Sequence, residues 1–217
     1  MSSDFAVIFD MDGVLVDSEK YIAESHKLAM AKHGVDNFNS YLGLSLRDKI
    51  PIWEKELGIK IDTAEFRKEG GLQREKMLET ERPSDALINF LEELKQNKVP
   101  LAVATLSYCN RTNSILSGLG LAKYFDVVVT GDAVVLHKPA PEIYLKASHL
   151  LGVESTSCVA FEDTPVGITA AKKAGMMVIG IQNAGHSKEE LNDADLVVTD
   201  FSQVSYTVVK KLILAKK

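Results

Sequence analysis

Two aspartates stand two residues apart, Asp10 and Asp12, behind the short apolar run Phe5 to Phe9 and in front of Gly13. A carboxylate so placed can act as a nucleophile and form an aspartyl-phosphate. Its neighbour can protonate the leaving oxygen and later activate water, a contribution of about 10² to 10⁴ in rate. Gly13 lets the backbone turn sharply away beneath a substrate. Polar residues also follow other apolar runs: Thr105 and Ser107, then His137, Lys138 and Pro139, then Glu162, Asp163 and Thr164. Two carboxylates ~4 Å apart repel by about 4 kcal/mol at an effective dielectric of about 20. Asp10, Asp12, Glu162 and Asp163 on one edge therefore cannot all stay ionised without a cation. Hard oxygen ligands suit Mg²⁺, which is usually shared between carboxylates and a substrate phosphate. Lys138 and Thr105 add the point charge and hydroxyl donor that a phosphoryl group needs. Together these residues point to phosphoryl transfer.

Such chemistry requires elements that bring the residues to one place. The runs Phe5–Phe9, Leu101–Ala104, Val127–Thr130, Ser157–Phe161, Met177–Ile181 and Leu196–Val198 are apolar at nearly every position. That pattern suits strands buried on both faces of a parallel sheet. Helical patterns lie between them. Leu87, Phe90, Leu91 and Leu94 fall at i, i+3, i+4 and i+7, with Ser84 or Asp85 placed as N-cap. Pro141 and Pro165 stand where the first residue of a helix is expected, and Gly175 where one closes. Strand and helix in alternation predict right-handed crossovers and a doubly wound, Rossmann-like α/β sheet. Ligands of such sheets bind outside the carboxyl ends of the strands, which is where the polar residues fall.

One stretch breaks the rhythm. From Val16 to Arg82 only helical patterns occur, over Tyr21–His33, Arg47–Leu57 and Thr63–Glu79. This is far longer than an ordinary connection. It predicts a small all-helical domain at 16–82, inserted after strand 1 into a core made of 1–15 and 83–217.

Composition narrows the class. The 217 residues carry 25 Lys and Arg against 30 Asp and Glu, a formal net charge of −5, with 46% hydrophobic residues. A chain of this size should bury roughly 70% of its unfolded surface, so disorder and coiled coil are disfavoured. The mild acidity speaks against nucleic acid as a partner. With no apolar stretch of the ~20 residues that span a bilayer, no membrane partner is expected either. Two cysteines, Cys109 and Cys158, make no disulfide framework. The expectation is a cytoplasmic protein acting on a small molecule, as a monomer or weak dimer. The basic C-terminus predicts a last helix that packs Val208, Leu212 and Leu214, and the histidines other than His137 read as surface or packing residues.

Other meanings of these residues fit the sequence less well. A calcium loop beginning at Asp10 would need a Glu at its twelfth position, where Tyr21 stands. Gly118-Leu119-Gly120 precedes a strand, so it reads as a helix end and turn, not a dinucleotide fingerprint. Asp132 reads as a turn residue.

The segment Phe9-Asp10-Met11-Asp12-Gly13-Val14-Leu15-Val16-Asp17-Ser18-Glu19 resembles the first motif of the haloacid dehalogenase-like hydrolases. The closest likeness is to the branch of small phosphatases and β-phosphoglucomutases with a helical cap. Ala104-Thr105-Leu106-Ser107 is similar to the second motif, Lys138-Pro139-Ala140-Pro141-Glu142-Ile143-Tyr144 to the third, and Phe161-Glu162-Asp163-Thr164-Pro165-Val166-Gly167 to the fourth. The resemblance implies Asp10 as nucleophile and metal ligand, and Asp12 as acid/base with its carbonyl on the metal. It implies Thr105 and the Leu106 amide on the phosphoryl oxygens, and Lys138 balancing charge. Asp163 and Glu162 would complete the Mg²⁺ site, and the cap would close over the substrate. Arg47 is the cap residue expected to contact a distal anionic group. The β-phosphoglucomutase pattern has a His where Ile22 stands and a Lys where Leu42 stands; both are absent, which favours hydrolysis over isomerisation. The expected activity is thus Mg²⁺-dependent hydrolysis of a small phosphorylated metabolite, a sugar or polyol phosphate. A phosphosugar isomerase is the alternative, and a phospho-aspartate signalling switch ranks below both.

Overall fold

A computed structural model describes residues 4–39, 46–78, 82–183 and 185–215. The chain divides into two compact units, Met1–Val16 with Arg82–Lys217, and Asp17–Glu81.

The first unit is an α/β layer structure. Its strands are β1 (Ala6–Phe9), β2 (Leu101–Ala104), β3 (Val127–Val129), β4 (Cys158–Glu162), β5 (Met177–Ile181) and β6 (Leu196–Val198). They form one sheet in the order β3-β2-β1-β4-β5-β6, every neighbouring pair parallel. The expected doubly wound, Rossmann-like sheet is therefore present, with its switch point between β1 and β4. The central strands are buried at every position, which explains their unbroken apolar runs.

The two faces of the sheet are packed differently. One carries small side chains, Ala6, Ala102, Ala104 and Ala160, against Ile143, Tyr144, Ala147, Ile168 and Ala171. These last come from helices Glu142–Leu151 and Pro165–Lys173. The other face is aromatic: Phe9 stacks on Phe161 at 4.9 Å between centroids, and Phe90 and Phe201 join them. Leu87, Phe90, Leu91 and Leu94 of helix Asp85–Gln96 are the buried stripe expected from their spacing. Each contributes about 2 kcal/mol of burial relative to exposure.

Local signals explain most element ends. Ser84 is the N-cap of Asp85–Gln96, its side chain accepting from Leu87 N. Thr164 caps Pro165–Lys173, with Pro165 in the first turn. Pro141 instead occupies the N-cap position of its helix, one residue earlier than its type suggested. The last helix, Tyr206–Ala215, buries Val209 and Ile213 while Leu214 is exposed. The apolar residues there are too evenly spread for the sequence to pick the inward stripe.

The second unit comprises helices Ser18–Ala31, Leu46–Leu57 and Thr63–Leu78. Its core is Ala29, Met30, Ile50, Trp53, Ile61 and Phe66. Asp62 starts the third helix by accepting from Ala64 N and Glu65 N. Trp53 is fully buried and its indole N–H donates to Asn39 O at 2.7 Å. His26 is buried between Trp53 and Phe66, a packing role.

Candidate active site

The parallel register sets the first contact. Phe9 of β1 lies opposite Phe161 of β4, so Asp10 and Glu162 leave the sheet side by side at the switch point. Asp10 N donates to Phe161 O at 2.9 Å, which holds the two strand ends together. Lys138 Nζ then donates to Asp10 Oδ1 at 2.9 Å, to Glu162 Oε1 at 2.6 Å and to Ala104 O at 3.2 Å. Residues far apart in sequence thus form one charged knot beneath the carboxyl edge.

Glu162 is wholly buried and surrounded by donors. Besides Lys138, Tyr144 OH donates to its Oε1 at 2.5 Å. Its Oε2 accepts from Asp163 N, Thr164 N and Thr164 Oγ1 at 3.2 to 3.4 Å. Gly167 makes room for it: a Cβ there would lie 1.9 Å from Oε1 and 2.1 Å from Oε2. Asp163 is served less fully. Its Oδ2 accepts from Asn183 Nδ2 at 2.8 Å, while its Oδ1 is buried with no hydrogen-bond partner. Gly13, at φ +79°, comes so close that a Cβ would meet Asp163 Oδ2 at 1.8 Å.

Electrostatics follows from this crowding. Burial pushes the Asp10 carboxyl up to about 7; Lys138 acts against the rise, while Glu162 and Asp12 add to it. Burial also pushes Asp163 up to about 8, with the charges of Asp10 and Glu162 adding to it. For Lys138 burial acts downward, but Asp10 and Glu162 outweigh it and hold the ammonium above its ordinary range. Burial and the Glu162 charge push the Tyr144 phenol well above its usual range, so it serves as a donor. Three carboxyls against one ammonium leave a surplus of negative charge in a dry place. Oxygens of Asp10, Glu162 and Asp163 lie within 4.8 Å of one another. This oxygen-only set, with the unpartnered Asp163 Oδ1, fits a divalent cation, which would supply the missing charge.

At the mouth the arrangement differs. Asp12 is held by Arg111, Nη2 to Oδ1 at 2.8 Å and Nη1 to Oδ2 at 2.9 Å. Ser107 Oγ donates to Asp12 Oδ2 at 2.7 Å, and Arg111 Nη1 also donates to Ser107 Oγ. Thr105 is buried behind them, its Oγ1 accepting from Ser107 N at 3.1 Å. Leu106, the next residue, is partly exposed at the same turn.

The structure therefore brings together Asp10, Lys138, Glu162 and Asp163, with Asp12 on Ser107 and the Thr105–Leu106 turn beside it. Arg47 lies in helix Leu46–Leu57, but its side chain, that of Ile22, and Leu42 lie outside the described residues. Sequence reasoning missed four residues of the site and its support. Asn183 follows β5 at the same edge, so extending the strand-end rule by one strand would have found it. Tyr144 lies inside the third motif without a role attached. Asp132, read as a turn residue, also accepts from Cys109 N and so pins the start of helix Cys109–Gly118. Arg111 carried no signal, being one arginine on a helix.

The family model for the haloacid dehalogenase-like hydrolases matches residues 7–181, so the chain belongs to that family. It is 32% identical to a phosphorylated carbohydrates phosphatase of Thermotoga maritima, over 96% of this chain and 99% of the relative. It is also 32% identical to the fructose-1-phosphate phosphatase YqaB of Escherichia coli, over 81% of this chain and 95% of the relative. Among solved structures, a HAD hydrolase of family IA, variant 3, from Entamoeba histolytica matches with a TM-score of 0.80 and 29% identity. That match covers 99% of this chain and all of the other. Among the described residues no helix is long and apolar enough to cross a membrane.

Proposed function

We propose that the protein is a Mg²⁺-dependent phosphatase that hydrolyses small phosphorylated metabolites, sugar or polyol phosphates, through an aspartyl-phosphate on Asp10. The observation that carries this reading is the buried knot of Asp10, Lys138, Glu162 and Asp163 at the sheet's switch point. Relatives named for phosphorylated carbohydrates and fructose 1-phosphate support the substrate class.

Asp10 attacks phosphorus while the bond from phosphorus to the leaving oxygen breaks. Asp12 gives its proton to that oxygen, releasing an alcohol. Asp12, now a carboxylate, takes a proton from water as the water oxygen attacks the aspartyl-phosphate. Inorganic phosphate leaves and the Asp10 carboxylate is restored. Thr105 and the Leu106 amide hold the phosphoryl oxygens, and Lys138 balances the charge of Asp10 and the phosphate. Asp10, Asp163 and the Asp12 carbonyl would hold Mg²⁺, with Glu162 beside them, and the cation would offset the carboxylate and phosphoryl charges. Glu162, saturated by five donors, chiefly anchors Lys138.

A panel of phosphorylated metabolites, ranked by kcat/KM for phosphate release with and without Mg²⁺, tests this directly. Hydrolysis of hexose or polyol phosphates that stops on chelation is expected. Conversion of β-glucose 1-phosphate to glucose 6-phosphate without phosphate release would replace the reading with an isomerase. A stable phosphoprotein without turnover would replace it with a switch.

A further inference from the structure

We propose that Arg111 is a positioning residue for the proton-transfer step, acting through Asp12; this rests on the phosphatase reading above. Arg111 is the third residue of the helix Cys109–Gly118 that follows β2, while Asp12 follows β1. The guanidinium meets the carboxylate fork to fork, at 2.8 and 2.9 Å, and Ser107 Oγ donates to one of the same oxygens at 2.7 Å. Arg111 Nη1 also donates to Ser107 Oγ, so side chains from the turn and helix after β2 and from the end of β1 close a ring.

This differs from an ordinary surface ion pair, which two long side chains make in many geometries and which contributes about 0 to 1 kcal/mol. Two parallel hydrogen bonds from a planar guanidinium fix the plane of the carboxylate as well as its position, which an ammonium cannot do. The base of the arginine is itself held. Asp132 Oδ1 accepts from Cys109 N at 3.1 Å, and Thr112 Oγ1 donates to Tyr108 O at 3.1 Å across the same turn. The Arg111 and Asp12 side chains keep 21% and 31% of their surface exposed, so the carboxylate can be reached by a substrate.

The chemistry gives orientation a specific value. Arg111 and Ser107 donate three hydrogen bonds to Asp12, and a carboxyl offers about four lone-pair sites, which leaves a place for the proton. An acid must hold that proton within about 3 Å of the leaving oxygen, and a misplacement of about 1 Å can cost around 10²-fold. That cost falls only on substrates whose leaving oxygen needs a proton. An alkyl phosphate releases a strongly basic alkoxide and needs one. A 4-nitrophenyl phosphate releases a weakly basic phenolate and does not.

The test compares kcat/KM, which reports the steps through departure of the leaving group, for glycerol 1-phosphate and 4-nitrophenyl phosphate. Arg111→Lys and Arg111→Gln are expected to lose about tenfold or more with the alkyl ester and less than about threefold with the aryl ester. Added to Asp12→Asn, either substitution should cost nothing further, because the group it orients has already gone. Equal losses on both esters, or losses that add fully to those of Asp12→Asn, would overturn the inference. So would a loss confined to KM, which would make Arg111 a direct substrate contact. If the unsubstituted protein cleaves neither ester, the phosphatase reading falls and takes this inference with it. If it cleaves both and their ratio does not move in the variants, only the role of Arg111 falls.

Discussion

The floor and the rim of the site use the same residue types to opposite ends. At the floor, Lys138 and Glu162 are buried, with side-chain exposures of 5% and 0%, and both Glu162 oxygens are filled by donors. At the rim, Arg111 and Asp12 are only partly buried, and Asp12 is held by planar geometry more than by enclosure. Burial makes charge expensive, so the carboxyls of Asp10 and Asp163 rise to about 7 and about 8 and call for a cation. Partial exposure makes charge cheaper at the rim, which leaves orientation as the main contribution of the ion pair there. Floor substitutions should therefore cost stability as well as turnover, and rim substitutions turnover alone.

The largest effect expected is at the proposed nucleophile. Asp10→Asn should lower kcat by roughly 10⁴-fold or more, and measurable release of phosphate by this variant at the native rate would remove the aspartyl-phosphate from the scheme. Gly167→Ala comes next, because its Cβ would stand 1.9 Å from Glu162 Oε1. It should destabilise by about 3 kcal/mol in denaturant titration; a neutral result would mean that the floor can relax.

The cation provides a third test, with a sign fixed by the raised carboxyls. Folded Asp10 and Asp163 hold protons more tightly than an unfolded aspartate. Their contribution to stability is fully present below the unfolded value near 3.9 and is lost as pH rises through about 7 and about 8. A bound cation displaces those protons, so the rise in Tm on adding Mg²⁺ should grow from about pH 6 to about pH 8.5. At a concentration of about 100 Kd the stabilisation is about 3 kcal/mol. A Tm shift that is flat or shrinks with pH would break the link between the floor and the metal.

Smaller effects sharpen the contrast. Tyr144→Phe removes one donor from a buried carboxylate and should cost about 2 kcal/mol of stability, with a loss of kcat that outweighs any change in KM. Ser107→Ala, at the rim, should stay within about 0.5 kcal/mol by thermal melting while slowing hydrolysis of an alkyl phosphate. The reverse ranking of these two variants in stability would erase the distinction.

Much of the frame was legible in the sequence because two-sided burial forces unbroken apolar runs. Each of the six strand runs matches a strand to within a residue at its ends. Asp10, Glu162 and Asp163 could be read because chemistry demands acids at strand ends, where a Gly or Pro also marks the turn. Arg111 and Tyr144 could not, since each is an ordinary residue until its partner is known, whereas Asn183 lies just past β5, where the same strand-end rule reaches it. The last helix shows the same limit in packing, with Leu214 outward and Ile213 inward.

The residue types and their order along the chain determined the sheet, the inserted helices and a carboxylate-rich edge, because periodicity and turn chemistry are local properties. Only the tertiary structure decided which acids are buried together and which remain wet. The register of β1 on β4 sets Asp10 beside Glu162, and the start of the helix after β2 delivers Arg111 to Asp12. Both depend on distances between residues about 100 to 150 positions apart, which no local pattern encodes.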